Sequence, residues 1–270
     1  MSDVEKGRVQ NNGSPNYDLK PEESRDDALR KIRTAGSLTI SPELFEKIYL
    51  SPKTRVKGEL RATVGNPTPL GLVGFVLSLS PLACTLMGWR SSGGSGAATV
   101  GVFYFVGGIL MILSSILEFI IGNTFTFVVL GSFGAFWFSL ASTLTPFYGA
   151  TDVAQFNQSF AFYYLFWGIL CFMYLVCSVR TNIVFMVIFL TLGVGFEVLA
   201  GANWQLANGN ASLAHRLNVT AGALFFVTII AGWYLFFVQL LASVDFPYTL
   251  PVGDTSHLVK GASEKNGKNE

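Results

Sequence analysis

Asn66-Pro67-Thr68-Pro69-Leu70-Gly71-Leu72 opens an apolar run that continues to Trp89. Pro67 suits a first helical turn, where a backbone N–H is not needed, while Pro69 and Pro81 weaken the regular bond ladder. Asn66 is placed to cap that turn. The run that follows has the ~20 residues a helix needs to cross a bilayer. Five more runs of this kind follow, giving spans at 69–89, 98–121, 124–144, 159–178, 182–201 and 217–243. This pattern predicts an all-α integral membrane protein with six transmembrane helices.

Charge distribution supports the same reading. The chain has 270 residues, of which 51% are hydrophobic and only 13% charged, and its mean hydropathy is +0.48. Of 18 Lys and Arg residues, twelve precede Asn66 and three follow Leu250, so only Arg90, Arg180 and Arg216 lie between. A water-exposed surface so poor in charge would aggregate, which excludes an ordinary soluble domain. Six spans put both termini on one side. Lys53, Arg55, Lys57 and Arg61 flank the first span, so that side is expected to be the cytosol. Arg180 then also lies inside, and Arg90 and Arg216 lie outside. The expected organisation is a cytosolic N-terminal tail over 1–61, a six-helix membrane domain over 62–245, and a cytosolic C-terminal tail over 246–270.

The N-terminal tail is polar and reads as mostly disordered. A short amphipathic helix is expected near 42–50, where Ser41 can cap, Pro42 can start, and Leu44, Phe45, Ile48 and Tyr49 share a face. Asn157-Gln158-Ser159 and Asn210-Ala211-Ser212 match the glycosylation acceptor pattern and fall in expected outside loops. Cys84, Cys171 and Cys177 all lie in spans and read as small apolar residues. No catalytic constellation, metal-ligand spacing or phosphate loop is present in the sequence, so neither an enzyme nor a cofactor is expected.

Two acids lie inside the spans, where ionisable groups are costly and default to a functional reading. Glu118 stands near the inner end of the second span, and Glu197 in the outer half of the fifth. Either can carry a proton. The structural alternatives are a hydrated headgroup position for Glu118 and a wet vestibule for Glu197. In the second span Gly107, Gly108, Met111, Ser114, Ser115 and Glu118 recur at helical spacing. Such a small, partly polar face can line a pathway or simply let helices approach closely. The start of the first span also has two readings. It is a well-made helix start, or its free N–H groups and dipole receive an anion.

The motif Asn-Pro-Thr-Pro-Leu-Gly-Leu closely matches the Asn-Pro-Ala-Pro-Leu-Gly-Leu signature of the acetate uptake transporter family, also called the succinate–acetate permease or YaaH-type family. Gly107-Gly108, Glu118, Gly122-Asn123-Thr124-Phe125, Gly134-Ala135-Phe136-Trp137, Trp233-Tyr234 and Leu250-Pro251-Val252-Gly253 extend the match, and the long N-terminal tail resembles the fungal branch. The resemblance implies a homo-hexamer whose subunits each carry a pathway, and proton-coupled uptake of acetate or related short monocarboxylates. The partners expected are that carboxylate, protons and the lipid bilayer of, by expectation, the plasma membrane. Nucleic acid is not expected.

Within the family a hydrophobic constriction includes an aromatic residue of the first span, matched by Phe75, and a tyrosine of the third, where this chain has Phe133. A third member lies in the fifth span near Thr191. The pathway residues so assigned are Asn66, Pro67, Pro69, Gly71, Phe75, Met111 and Phe133. The chain departs from the pattern at Met111, where the family has glutamine, at Ser115, where it has glycine, and at Leu235, where the fungal branch has asparagine. Glu197 replaces a usually apolar residue. These departures motivate two alternatives: a membrane sensor or regulatory paralogue, and a carrier of another small solute such as ammonium.

Overall fold

The computed structural model describes residues 64–148, 153–248 and 250–255. The N-terminal tail with its expected helix near 42–50, and the end of the C-terminal tail, lie outside these residues. Six helices are long and apolar enough to cross a membrane. They are α1 (Thr68–Leu86), α2 (Ala97–Ile120), α3 (Thr124–Leu144), α4 (Val153–Ser178), α5 (Ile183–Ala207) and α6 (Ala211–Ser243). Among the described residues the one extended pairing is an isolated bridge between Asn182 and Asp254.

The first three spans match the sequence reading closely, and the last three are longer. α4 begins at Val153 rather than 159, α5 runs to Ala207 rather than 201, and α6 begins at Ala211 rather than 217. The polar residues that resembled loop are helical. Asn203 turns its amide onto the carbonyl of Leu199 at 2.9 Å, inside its own helix. Asn210 caps α6 by accepting from the backbone of Leu213 at 3.3 Å. With 33 residues, α6 extends about 50 Å, so it overshoots the ~30 Å hydrocarbon layer. The same correction moves Asn157 out of a loop. It lies within α4 and is buried, which removes it as a glycosylation acceptor.

The helices pack in two groups. α2 lies between α1 and α3, while α6 joins α1 to α5 and α5 packs on α4. Glycines set the first group. A Cβ on Gly74 would come within 2.9 Å of the Val106 carbonyl, and one on Gly107 within 2.6 Å of the Trp137 ring. α2 departs from α-helical bonding over Phe103–Gly108, a π-type turn that ends at the Gly107-Gly108 pair. Its Met111, Ser114, Ser115 and Glu118 are all buried, so the stripe read from the sequence faces inward. The opposite surface exposes Phe105, Ile109, Leu113, Ile116 and Phe119. An apolar exterior of this extent needs lipid or a neighbouring copy to cover it.

At the end of the bundle where α1 begins, the chain after α6 returns to the α4–α5 turn. The Ile183 N–H donates to the Gly253 carbonyl at 2.9 Å, and the Tyr234 hydroxyl donates to the Pro251 carbonyl at 2.5 Å. Gly253 has φ of +68°, which glycine adopts without strain. The segment matched by sequence as Leu250-Pro251-Val252-Gly253 thus ties α6 to α5.

Candidate substrate pathway

The start of α1 is held by polar contacts from α2. Asn66 accepts the N–H of Thr68 at 2.8 Å from one residue before the helix, so Pro67, not Asn66, occupies the cap position, and Pro69 follows in the first turn. The Pro67 carbonyl receives the Ser114 hydroxyl at 2.7 Å. Glu118 is completely buried. One carboxylate oxygen accepts the Thr68 hydroxyl and the other accepts the Asn123 amide at 2.8 Å. The carboxylate therefore joins three helix ends: the C-terminus of α2, the first turn of α1, and Asn123 at the start of α3. Burial contradicts the hydrated headgroup position. Gly71 completes this clasp, because a Cβ there would meet Leu130 at 2.6 Å and the Ser114 hydroxyl at 2.8 Å.

One to two turns further along the bundle, aromatic rings from five helices converge. Phe75 of α1 meets Phe133 of α3 edge-on with centroids 5.8 Å apart, and Phe133 lies 5.1 Å from Trp167 of α4. One turn beyond, Phe136 meets Phe196 of α5 at 5.2 Å, and Phe196 meets Phe225 of α6 at 5.3 Å. Such tilted pairs each add about 0.5–1.5 kcal/mol beyond burial. Phe75 and Phe133 are 5% and 3% exposed, so the rings leave no open passage. Thr191, near which the third constriction residue was expected, instead pairs its hydroxyl with Thr228 at 2.6 Å.

Above the rings lies a cavity of about 190 Å³. It is bounded by the C-terminal halves of α1, α3 and α5 and the N-terminal halves of α4 and α6. Phe136, Phe196 and Phe225 form its floor, Leu79, Leu82 and Leu140 its apolar sides, and Asn157, Tyr164 and Asn203 its polar points. Among the described residues no Asp, Glu, Lys, Arg or His lines it. A small concave site, mostly apolar with a few polar groups, has the character of a ligand pocket.

The residues assigned from sequence divide between these features. Asn66, Pro67, Pro69 and Gly71 belong to the clasp, and Phe75 and Phe133 to the ring cluster. Met111 is 1% exposed and packs against Gly74, away from the cavity. Glu197 lies against Gly168 of α4 and is not in the cavity lining. The sequence reading missed Asn157, Tyr164, Phe196 and Phe225. The first was concealed by its resemblance to a loop acceptor site. The others do not stand out by residue type among 24 Phe and 9 Tyr residues.

A bundle of six membrane-crossing helices enclosing a small cavity above an aromatic barrier defines a multi-pass membrane protein of the transporter or channel class. Residues 50–255 match the model of the GPR1/FUN34/yaaH family, and the chain belongs to that family. It is similar to protein alcS of Aspergillus fumigatus, with 45% identity covering 90% of this chain and 95% of that protein. It is also similar to acetate transporter protein patA of Penicillium expansum, with 30% identity covering 72% of this chain and 80% of that protein. The solved structure of the bacterial acetate channel SatP superposes with a TM-score of 0.60 and 30% identity, over 70% of this chain and 99% of that one. The family is one of transporters and channels, not of enzymes.

Proposed function

We propose that this protein carries acetate and related short monocarboxylates across the plasma membrane, coupled to protons, with each subunit of a homo-hexamer holding its own pathway. The observation that carries the reading is the cavity of about 190 Å³ closed at its floor by Phe136, Phe196 and Phe225, in a chain similar to an acetate channel. The cavity receives the substrate from the outer side. The ring cluster with Phe75 and Phe133 is the barrier. The α1 start at Asn66, Pro67, Pro69 and Gly71 is the exit towards the cytosol, where the positive end of the helix dipole favours an anion. Both termini are cytosolic, in keeping with sixteen basic residues inside, counted as twelve plus three plus Arg180, against two outside.

Glu118 serves in this scheme as an anchor between helices, because both of its oxygens are already engaged. Ammonium is a poorer cargo, since among the described residues no acid lines the cavity to hold a cation. Uptake of labelled acetate into proteoliposomes, with and without an inward proton gradient, tests the function. Gradient-stimulated uptake, competed by propionate, is expected. Background uptake from well-folded protein would leave the regulatory reading in its place.

A further inference from the structure

We infer that the cavity binds the undissociated carboxylic acid, not its anion, and that Asn157 is the residue that recognises it. The inference rests on the monocarboxylate reading above and deepens it. Asn157 lies on α4, is 7% exposed, and lines the cavity. No hydrogen bond to its side-chain amide is formed among the described residues, and the amide is not one of the fully enclosed polar atoms left without a partner, so it stands open to the cavity, where a ligand or water can satisfy it. Its neighbour in the lining, Tyr164, is also buried with no hydrogen-bond partner for its hydroxyl among the described residues.

Charge then selects between the two forms of the substrate. A carboxylate enclosed among leucine and phenylalanine side chains keeps its charge at least cost beside a cation. Among the described residues no cation lines the cavity, and its polar side chains Ser95, Thr143, Asn157, Tyr164, Asn203 and Asn218 are all uncharged. Glu197 of α5 turns to Gly168, and Tyr163 of α4 stacks on Phe136 outside the lining. His215 and Arg216 of α6, and Arg90 of the α1–α2 loop, are exposed and do not line the cavity. An amide offers one acceptor and two donors. The Asn157 amide N–H can donate to the acid's carbonyl while its oxygen accepts the acid's O–H. This closed pair needs no charge on the protein. The anion lacks the O–H and can make only half of it. The proton then crosses on the substrate itself, and neither Glu118 nor Glu197 is required to carry it.

Two uncharged-versus-charged probes test this during labelled acetate uptake into proteoliposomes at matched internal and external pH. Acetamide is neutral at every pH and keeps both donor and acceptor. Methanesulfonate is an anion throughout. The inference predicts competition by acetamide that is equal at pH 5 and pH 7, and none by methanesulfonate. Asn157→Leu should raise the acetate half-saturation at least tenfold and abolish acetamide competition. Asn157→Ser, a smaller change, should show the same trend if the leucine variant fails to fold. Glu197→Gln should leave the pH dependence of half-saturation intact. Competition by methanesulfonate, lack of competition by acetamide, or unchanged affinity in folded Asn157 variants would each overturn the inference while leaving acetate transport standing. No acetate uptake by the wild-type protein would overturn both.

Discussion

The two halves of the bundle use their sequence differently. The α1–α2–α3 half is closely packed and tied by short polar contacts: Glu118 to Thr68 and Asn123, Ser114 to Pro67, and Ser115 to the Phe127 carbonyl at 2.8 Å. Gly71, Gly74, Gly107, Gly108 and Gly134 sit where a Cβ has no room, a tightness that Gly168, Gly195 and Gly232 share in the other half. The α4–α5–α6 half is built from large aromatic rings, and the cavity opens where it faces α1 and α3. The comparison teaches that recognisable motifs mark rigidity here. The residues that bound open space are mostly ordinary leucines and phenylalanines, with Tyr164 and the asparagines Asn157, Asn203 and Asn218 among them.

The comparison can be broken most severely in the rigid half. Gly74→Leu forces a side chain against the backbone carbonyl of Val106, which cannot rotate away. Loss of folded protein, read by size-exclusion chromatography in detergent, is the expected outcome, because overpacking costs about 1–3 kcal/mol or more per site. Next in size is Glu118→Leu. It leaves the Thr68 hydroxyl and the Asn123 amide buried without their acceptor, at about 1–3 kcal/mol each. Its thermal midpoint should fall well below that of Glu197→Gln, whose acid meets only the α4 surface at Gly168.

At the aromatic barrier, where α1 and α3 face the α4–α5–α6 half, the expected effects fall on flux before stability. Phe75→Ala opens the barrier beside Phe133, so acetate accumulation driven by a gradient should collapse while the protein remains folded. Equal accumulation in wild type and variant would remove these rings from the pathway. The smallest change is Asn210→Ala, which removes the α6 cap on the far side of the cavity. About 1 kcal/mol of stability and little transport should be lost, as measured by thermal melting and uptake in parallel.

These differences explain what was legible in the sequence. Six apolar runs dictate six helices because a bilayer leaves the backbone few other ways to satisfy itself. The proline-rich start of α1 and the stripe from Gly107 to Glu118 are local patterns; the stripe is buried as its spacing implies, while at the α1 start Pro67 and Thr68 are buried and Asn66 is exposed. Asn66 was displaced by one position, because Pro67 itself takes the cap. The cavity was not legible. Its walls come from five helices, and nothing in the spacing of Leu79, Phe136, Asn157, Phe196 and Phe225 records that they meet. Helix ends were misjudged for a related reason. Asn157, Asn203 and Gln205 look like loop residues to a hydropathy window, yet a helix can bury an amide towards a cavity or return it to its own backbone.

The central claim is that substrate passes through the cavity above Phe136, Phe196 and Phe225. Ala202 lines it from α5, so Ala202→Phe fills that space without touching the α1 clasp. Labelled acetate flux into proteoliposomes should fall to the level of empty vesicles in Ala202→Phe, while Glu197→Gln on the same helix retains wild-type flux. Wild-type flux through a folded Ala202→Phe protein would contradict the account.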